Sequence, residues 1–205
     1  SSWTSDRPVT FAQGNGSTAD LVIQAGAQVV HTRQVDVADG EDSAAAIVVA
    51  DSGSRYEAVY PTLGSRGAAT LHVLDGGVFQ AEEVFTAVEA GASFDARVAG
   101  VGSQLIVADD QDFAEFTLGD YGIAAMTVAS GGYVEAGTLR LAGGAGSSSL
   151  QVQDDSSLVQ SRELEIGQMG IGSLRITAGG QVESGVARAG RFAAGEGDIN
   201  VEQPG

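Results

Sequence analysis

The chain has 205 residues, with 27 acidic residues against ten basic ones, all arginine, and a net charge of -17. Such a surface repels the phosphates of nucleic acid and anionic lipid. The absence of cysteine excludes disulfides and thiolate metal sites, and no run of 18 apolar residues offers a membrane span. The glycines follow no three-residue period, which excludes collagen, and prolines are too few for a proline-rich linker.

Taken in chain order, one phrase recurs eight times. It reads as a large apolar residue, a spacer, a second apolar residue, two loose positions, a glycine pair or its substitute, and a further apolar residue. The copies are Leu21/Ile23/Gly26/Ala27/Val29, Ile47/Val49/Ser52/Gly53, Leu71/Val73/Gly76/Gly77/Phe79, Leu105/Val107/Asp110/Phe113, Met126/Val128/Gly131/Gly132/Val134, Leu150/Val152/Asp155/Leu158, Leu174/Ile176/Gly179/Gly180/Val182 and Ile199/Val201/Pro204/Gly205. A fixed repeat of this length is the signature of a solenoid. After each phrase comes a second alternating pair: Val35/Val37, Pro61/Leu63, Val84/Thr86, Phe116/Leu118, Leu139/Leu141, Leu164/Ile166 and Ala187/Ala189. Glycine-rich bends such as Gly64–Gly67 and Gly167–Gly170 usually follow.

Period-two alternation sends one side chain in and the next out. Leu174 and Ile176 are expected inside, with Arg175 in solvent. One unit cannot bury its own apolar face, whereas stacked units pair their backbones about 4.8 Å apart and share one core. The expected fold is all-β: a single-stranded parallel β-helix, right-handed by the general handedness of parallel crossovers, of about eight coils. One domain over residues 1–205 is expected.

Most steps between phrases are 21 to 26 residues, but Leu71 to Leu105 is 34. The favoured explanation is a loop inserted at Glu89–Gly100; the alternative is a short extra coil from Thr86, using Val88, Gly91, Ala92 and Phe94. Inserted loops are where solenoids place binding residues, so 89–100 is the first candidate for recognition. Ser1-Ser2-Trp3 is expected to align with Ser156-Ser157-Leu158, which puts Ser1 and Gly205 at one phase of a coil. The chain is therefore expected to be a segment of a longer array, with end-to-end joining of copies as the alternative.

The stretch Glu163 to Gly190 resembles the autotransporter (type V secretion) and PEP-CTERM-associated repeat of bacterial surface proteins. That family alternates a "GSLxIxxGGxV" half with a "VxxxGSxW" half, joined by "LxIGxxGxG". Gly172-Ser173-Leu174, Ile176, Gly179, Gly180 and Val182 match the first half. Leu164, Ile166, Gly167, Gly170 and Gly172 match the joint, and Ser1-Ser2-Trp3 the tryptophan half. The resemblance implies a β-helical passenger region, secreted or held on a bacterial cell surface, and it carries no shared catalytic residues.

An acidic column is expected where the phrase turns: Asp51, Asp75, Asp109 and Asp154, with Asp110 and Asp155 beside them. Stacked carboxylates repel unless a cation screens them, and oxygen-rich clusters suit calcium. Asp is equally a good residue for an exposed turn, and the nonapeptide calcium signature is absent. Asp109, Asp110 and Asp112 with Arg140 could be cast as a polysaccharide-cleaving centre, but that chemistry needs two carboxyl groups in unequal environments, and the expectation is no catalysis. Arg140, Glu165 and Arg188 share one outward position in successive coils and read as a charge ladder. His31 and His72 fall at different positions. Tyr56, Tyr60, Phe85 and Tyr133 are candidates for stacking on sugars. The expected function is a structural or adhesive surface segment whose partners are a host-cell or matrix surface, polysaccharide or its own copies. A carbohydrate-binding or polysaccharide-degrading module and a self-assembling surface-layer or filament subunit are the alternatives.

Overall fold

The computed structural model describes residues 1–109 and 114–202. Every strand pair is parallel and links one coil to the next, so the chain is a β-solenoid of about eight turns. Each coil runs through three faces. The long face is an eight-stranded sheet: Thr18–Ile23, Ala44–Ala50, Ala68–Leu74, Ser93–Ala99, Ile123–Ala129, Ser147–Gln153, Ile171–Thr177 and Glu196–Val201. The first short face begins with Ser2–Ser5, Gln28–His31, Arg55–Ala58, Val78–Ala81 and Gln104–Val107. The second begins with Val9–Phe11, Val35–Val37, Pro61–Leu63, Val84–Thr86 and Glu115–Leu118. In the next coils the two short faces fuse into single strands, Tyr133–Leu141, Leu158–Ile166 and Gln181–Ala189.

The alternation read from the sequence becomes columns of inward side chains. Ile47, Leu71, Ala96, Met126, Leu150 and Leu174 form one column; Val49, Val73, Val98, Val128 and Val152 form the next. All are buried. Burying each leucine-sized side chain contributes about 1.5–3 kcal/mol before the entropy of ordering it. The alternating pairs that follow each phrase all fall on the second short face.

The phrase at Leu105 is corrected. Leu105 and Val107 lie on the first short face, where Leu105 pairs with Phe79 and Val134. The missing long-face strand is Ser93–Ala99, bonded on both sides to Ala68–Leu74 and Ile123–Ala129. The expected inserted loop at 89–100 is thus largely a strand, and no extra coil starts at Thr86, which ends Val84–Thr86. The sequence hid this strand through a trade of volume. Phe94 stands where neighbouring coils have Ala69 and Ala124, and Ala96 where they have Leu71 and Met126. Core packing conserves total volume more strictly than the identity of each position. The extra residues instead separate the strand ending at Val107 from the strand starting at Glu115.

The turn after the long face has two forms, and they alternate. In the shorter form two adjacent residues adopt positive φ: Ala25-Gly26, Asp75-Gly76, Ser130-Gly131 and Ala178-Gly179. In the longer form the first and third do: Asp51 and Gly53, Gly100 and Gly102, Asp154 and Ser156. The serine after each longer turn, Ser54, Ser103 or Ser157, is buried, and its hydroxyl accepts the N–H of Gly26, Gly76 or Gly131 at 3.0–3.1 Å. The shorter turn meets the coil before it just as closely. A Cβ on Gly77 would sit 2.3 Å from the carbonyl oxygen of Val49, so only glycine fits. The structural repeat is therefore two coils, one shorter turn and one longer.

Trp3 pairs with Val29, in the column that continues through Tyr56, Phe79, Leu105, Val134 and Val159. The expected match to Leu158 is off by one, because the corner from Ser5 to Val9 is one residue longer than that from Ser161 to Leu164.

Candidate functional surfaces

The acidic column divides in the structure. Asp51, Asp75 and Asp154 sit in turns after the long face, each at positive φ. The Asp51 carboxylate accepts the Ala25 N–H at 3.1 Å, and Asp154 accepts that of Ser130 at 3.3 Å. These two cap the shorter turn of the preceding coil, the role that Asp commonly plays in turns. Asp155 lies beside Gly179, where a Cβ would strike its carboxylate. Asp109 stands apart, at the corner between the short faces, because the phrase that grouped it with the others was misplaced. Asp110 and Asp112 lie outside the described residues. Among the described residues no three His, Asp or Glu side chains converge as metal ligands.

The charge ladder is present in the expected register, with Arg140 beside Glu165 and Glu165 beside Arg188. Its centre is not an open surface, since Glu165 is only 1% exposed. Arg140 Nε donates to it at 2.8 Å and Gln168 Nε2 at 2.7 Å, Arg191 donates on the other side, and Arg188 bridges it to Glu163. Arg140 also pairs with Glu115. Burial works against the Arg140 charge, but the hydrogen bonds it donates to Glu165 and Glu115, together with their charges, outweigh it and hold the guanidinium above its ordinary range. Repeat phase identified three members of this network. Gln168 and Arg191 come from the bends that follow and carry no repeat signal.

Next to the ladder, Phe85, Thr117, Asp120, Arg140 and Gln168 line a hollow of about 120 Å³. Burial, and then the nearby Glu115 charge, raise the pKa of Asp120, against a hydrogen bond from the Gly144 backbone. A Cβ on Gly144 would lie 2.4 Å from the Asp120 carboxylate, so that bend needs a glycine.

Two larger hollows follow the corner between the short faces. One, of about 460 Å³, is bordered by Glu57, Gln80, Glu82 and Asp109; the other, of about 320 Å³, by Glu135, Gln160 and Arg162, and both touch Ala108. Small residues on the inner side of the corner, such as Ala58, Ala81, Ala136 and Gly137, border these hollows. The Tyr133 hydroxyl lies 2.8 Å from Glu135 and 3.0 Å from Gln160. Burial and the Glu135 hydrogen bond push its pKa up to about 12. Tyr60 is exposed and its pKa is raised, chiefly by the Glu82 charge. Tyr56 is corrected from surface to core: it is fully buried and stacked on Phe79 at 5.2 Å.

An apolar ridge, not expected from the repeat, lies at the corner leading into the long face. Tyr121 and Ile123 are 54% and 67% exposed, and Met169 and Ile171 are 45% and 54% exposed. Ile123 and Ile171 both pair with Ser147 between them, so they stand two coils apart in one column, about 10 Å at the usual strand spacing. The signal was in the sequence: each isoleucine lies three residues before a phrase start, Met126 or Leu174.

The chain matches no protein-family model, no curated protein and no solved structure.

Proposed function

We propose that the chain is a non-catalytic structural and adhesive segment of a bacterial surface protein, in which the solenoid holds a partner-binding surface rigid. The apolar ridge carries the adhesive part. Single exposed hydrophobic residues are ordinary, but an ordered patch marks an interaction surface. Tyr121, Ile123, Met169 and Ile171 recur at equivalent positions of alternate coils, on a molecule otherwise strongly acidic. Such a ridge suits an apolar stripe on a host-cell or matrix protein, and the charge deters attachment to nucleic acid and anionic lipid. The resemblance of Glu163–Gly190 to the surface-protein repeat supports an extracellular location.

Beads coated with the chain and flowed over immobilised collagen, dextran and the chain itself test this. Retention on a protein surface, lost in the Ile123→Ser/Ile171→Ser variant at unchanged melting temperature, is expected. Equal retention of the two proteins contradicts it.

A carbohydrate module is the second reading, favoured by Asp120 in its hollow beside Glu115 and Arg140 and by the acceptor-rich corner with exposed Tyr60. Binding or cleavage of neutral oligosaccharides, abolished by Asp120→Asn, would support it over adhesion.

A further inference from the structure

We infer that His31 makes the seam between the first two coils acid-sensitive, so that protonation of its buried ring unseats Ser2–Ser5 and Val9–Phe11 from the coil beneath. His31 occupies an inward column that runs through Ser5, Ala58, Ala81, Val107, Ala136 and Ser161 in neighbouring coils. An imidazole here stands in place of small or aliphatic groups, and it is 1% exposed.

The ring is caged by aromatic neighbours from both sides of the seam. Trp3 meets it edge-on at 4.6 Å and Phe11 lies at 6.4 Å, both from the first coil, while Tyr56 meets it at 5.5 Å from the third. Its Nδ1 is 3.1 Å from the Tyr56 hydroxyl, and its Nε2 is buried without a partner. Burial raises the Tyr56 pKa, so the phenol keeps its proton and donates to Nδ1 of a neutral ring whose Nε2 bears the hydrogen. The other tautomer would leave the phenol hydrogen idle as well.

A second proton would put a charge among these rings. The charged side chains on the packed strands, Asp36, Arg55 and Glu57, occupy outward positions, and Asp6 and Arg7 lie on the exposed corner. Glu57, Glu82 and Asp109 border the hollow that His31 also touches; they give the proton a short path from solvent and attract it. Burial nevertheless prevails and holds the ring below its ordinary value of 6.5. Above that pH the ring is neutral whether the seam is closed or open. Below it the open form takes a proton that the closed form refuses, so the closed seam loses stability as pH falls toward the lowered value. On the short faces the seam beside His31 is held by strand pairs of four and three residues.

The chain has one tryptophan, Trp3, against the ring in question, and only one other histidine, His72. Trp3 emission is followed from pH 7.5 to 5, with deuterium uptake corrected for intrinsic rate and with NMR titration of both histidine rings. The expected result is a red-shifted, weaker emission with a midpoint below the ordinary histidine value. Uptake should rise in residues 2–11 and stay unchanged in 123–177. The His72→Gln variant should keep the transition and His31→Gln should lose it. Persistence of the transition in His31→Gln would overturn the inference. So would a His31 ring that titrates while Trp3 and residues 2–11 stay protected, or one that remains neutral throughout; both are read on the unmutated chain.

Discussion

The two halves of the solenoid solve one packing problem with different chemistry. In the early coils the first short face is filled by rings, running from Trp3 through His31 and Tyr56 to Phe79. The short faces there are separate strands with a corner between them. In the later coils the column of Trp3, Tyr56 and Phe79 continues with aliphatic residues, Leu105, Val134 and Val159. From Tyr133 onward the two short faces form one nine-residue strand, and the outer surface of this half carries the Glu115–Arg140–Glu165–Arg191 chain of ion pairs. The backbone register asks only that each inward column be filled and each outward charge be answered. Within that limit the residues drift, which is why the repeat is easy to see near Gly172 and hard to see near Phe94.

Breaking the coil where the repeat is faintest has the largest expected effect. Phe94→Ala should cost about 3–5 kcal/mol, the usual range for emptying a buried phenylalanine site. Adding Ala96→Leu should recover most of it, because that pair restores the pattern of the neighbouring coils, Ala69 with Leu71 and Ala124 with Met126. Urea melts of the single and double variants check this. If 89–100 were an inserted loop, Phe94→Ala would cost under about 0.5 kcal/mol.

The later half should be sensitive to charge in a way the earlier half is not. Glu165→Gln leaves three guanidinium groups short of their shared carboxylate. A wholly buried pair broken this way costs about 3–5 kcal/mol. Arg188 and Arg191 are 43% exposed, so water screens part of the loss and about 2 kcal/mol is expected. Deuterium uptake should rise in residues 133–189 and stay level in residues 44–81. A rise in both halves would contradict the separation of the two.

The smallest effect belongs to the device both halves share. Ser103→Ala strands the half-buried Gly76 N–H and should cost about 1 kcal/mol. Ser93→Ala, at an outward position of the same coil, should be neutral. Equal effects would remove the argument that longer turns lock the shorter ones.

Much of the fold was legible because period-two alternation and a fixed repeat are properties of local sequence. Leu174 inside and Arg175 outside, and the Arg140, Glu165 and Arg188 column, follow from phase alone. What escaped depends on three-dimensional exchange. Ala96 looks too small to open a phrase until Phe94 is seen filling its space. Trp3 slips by one because a corner, not a strand, has gained a residue. Glu165 could be placed in the ladder, but its burial depends on Gln168 and Arg191, which arrive from later bends. The Ile123 and Ile171 ridge obeys the repeat, but these residues fall between the bend and the phrase and belong to neither pattern.

The same two regions compete for recognition, because the ridge belongs to the later coils and the larger hollow to the earlier ones. The most direct test flows beads bearing the parent chain, Ile123→Ser/Ile171→Ser, or Glu57→Ala/Gln80→Ala/Glu82→Ala over collagen and over dextran. The account predicts that the parent and the hollow variant are held on collagen while the ridge variant washes off. Retention on dextran that survives in the ridge variant and vanishes in the hollow variant would contradict it and move recognition to the corner of the early coils.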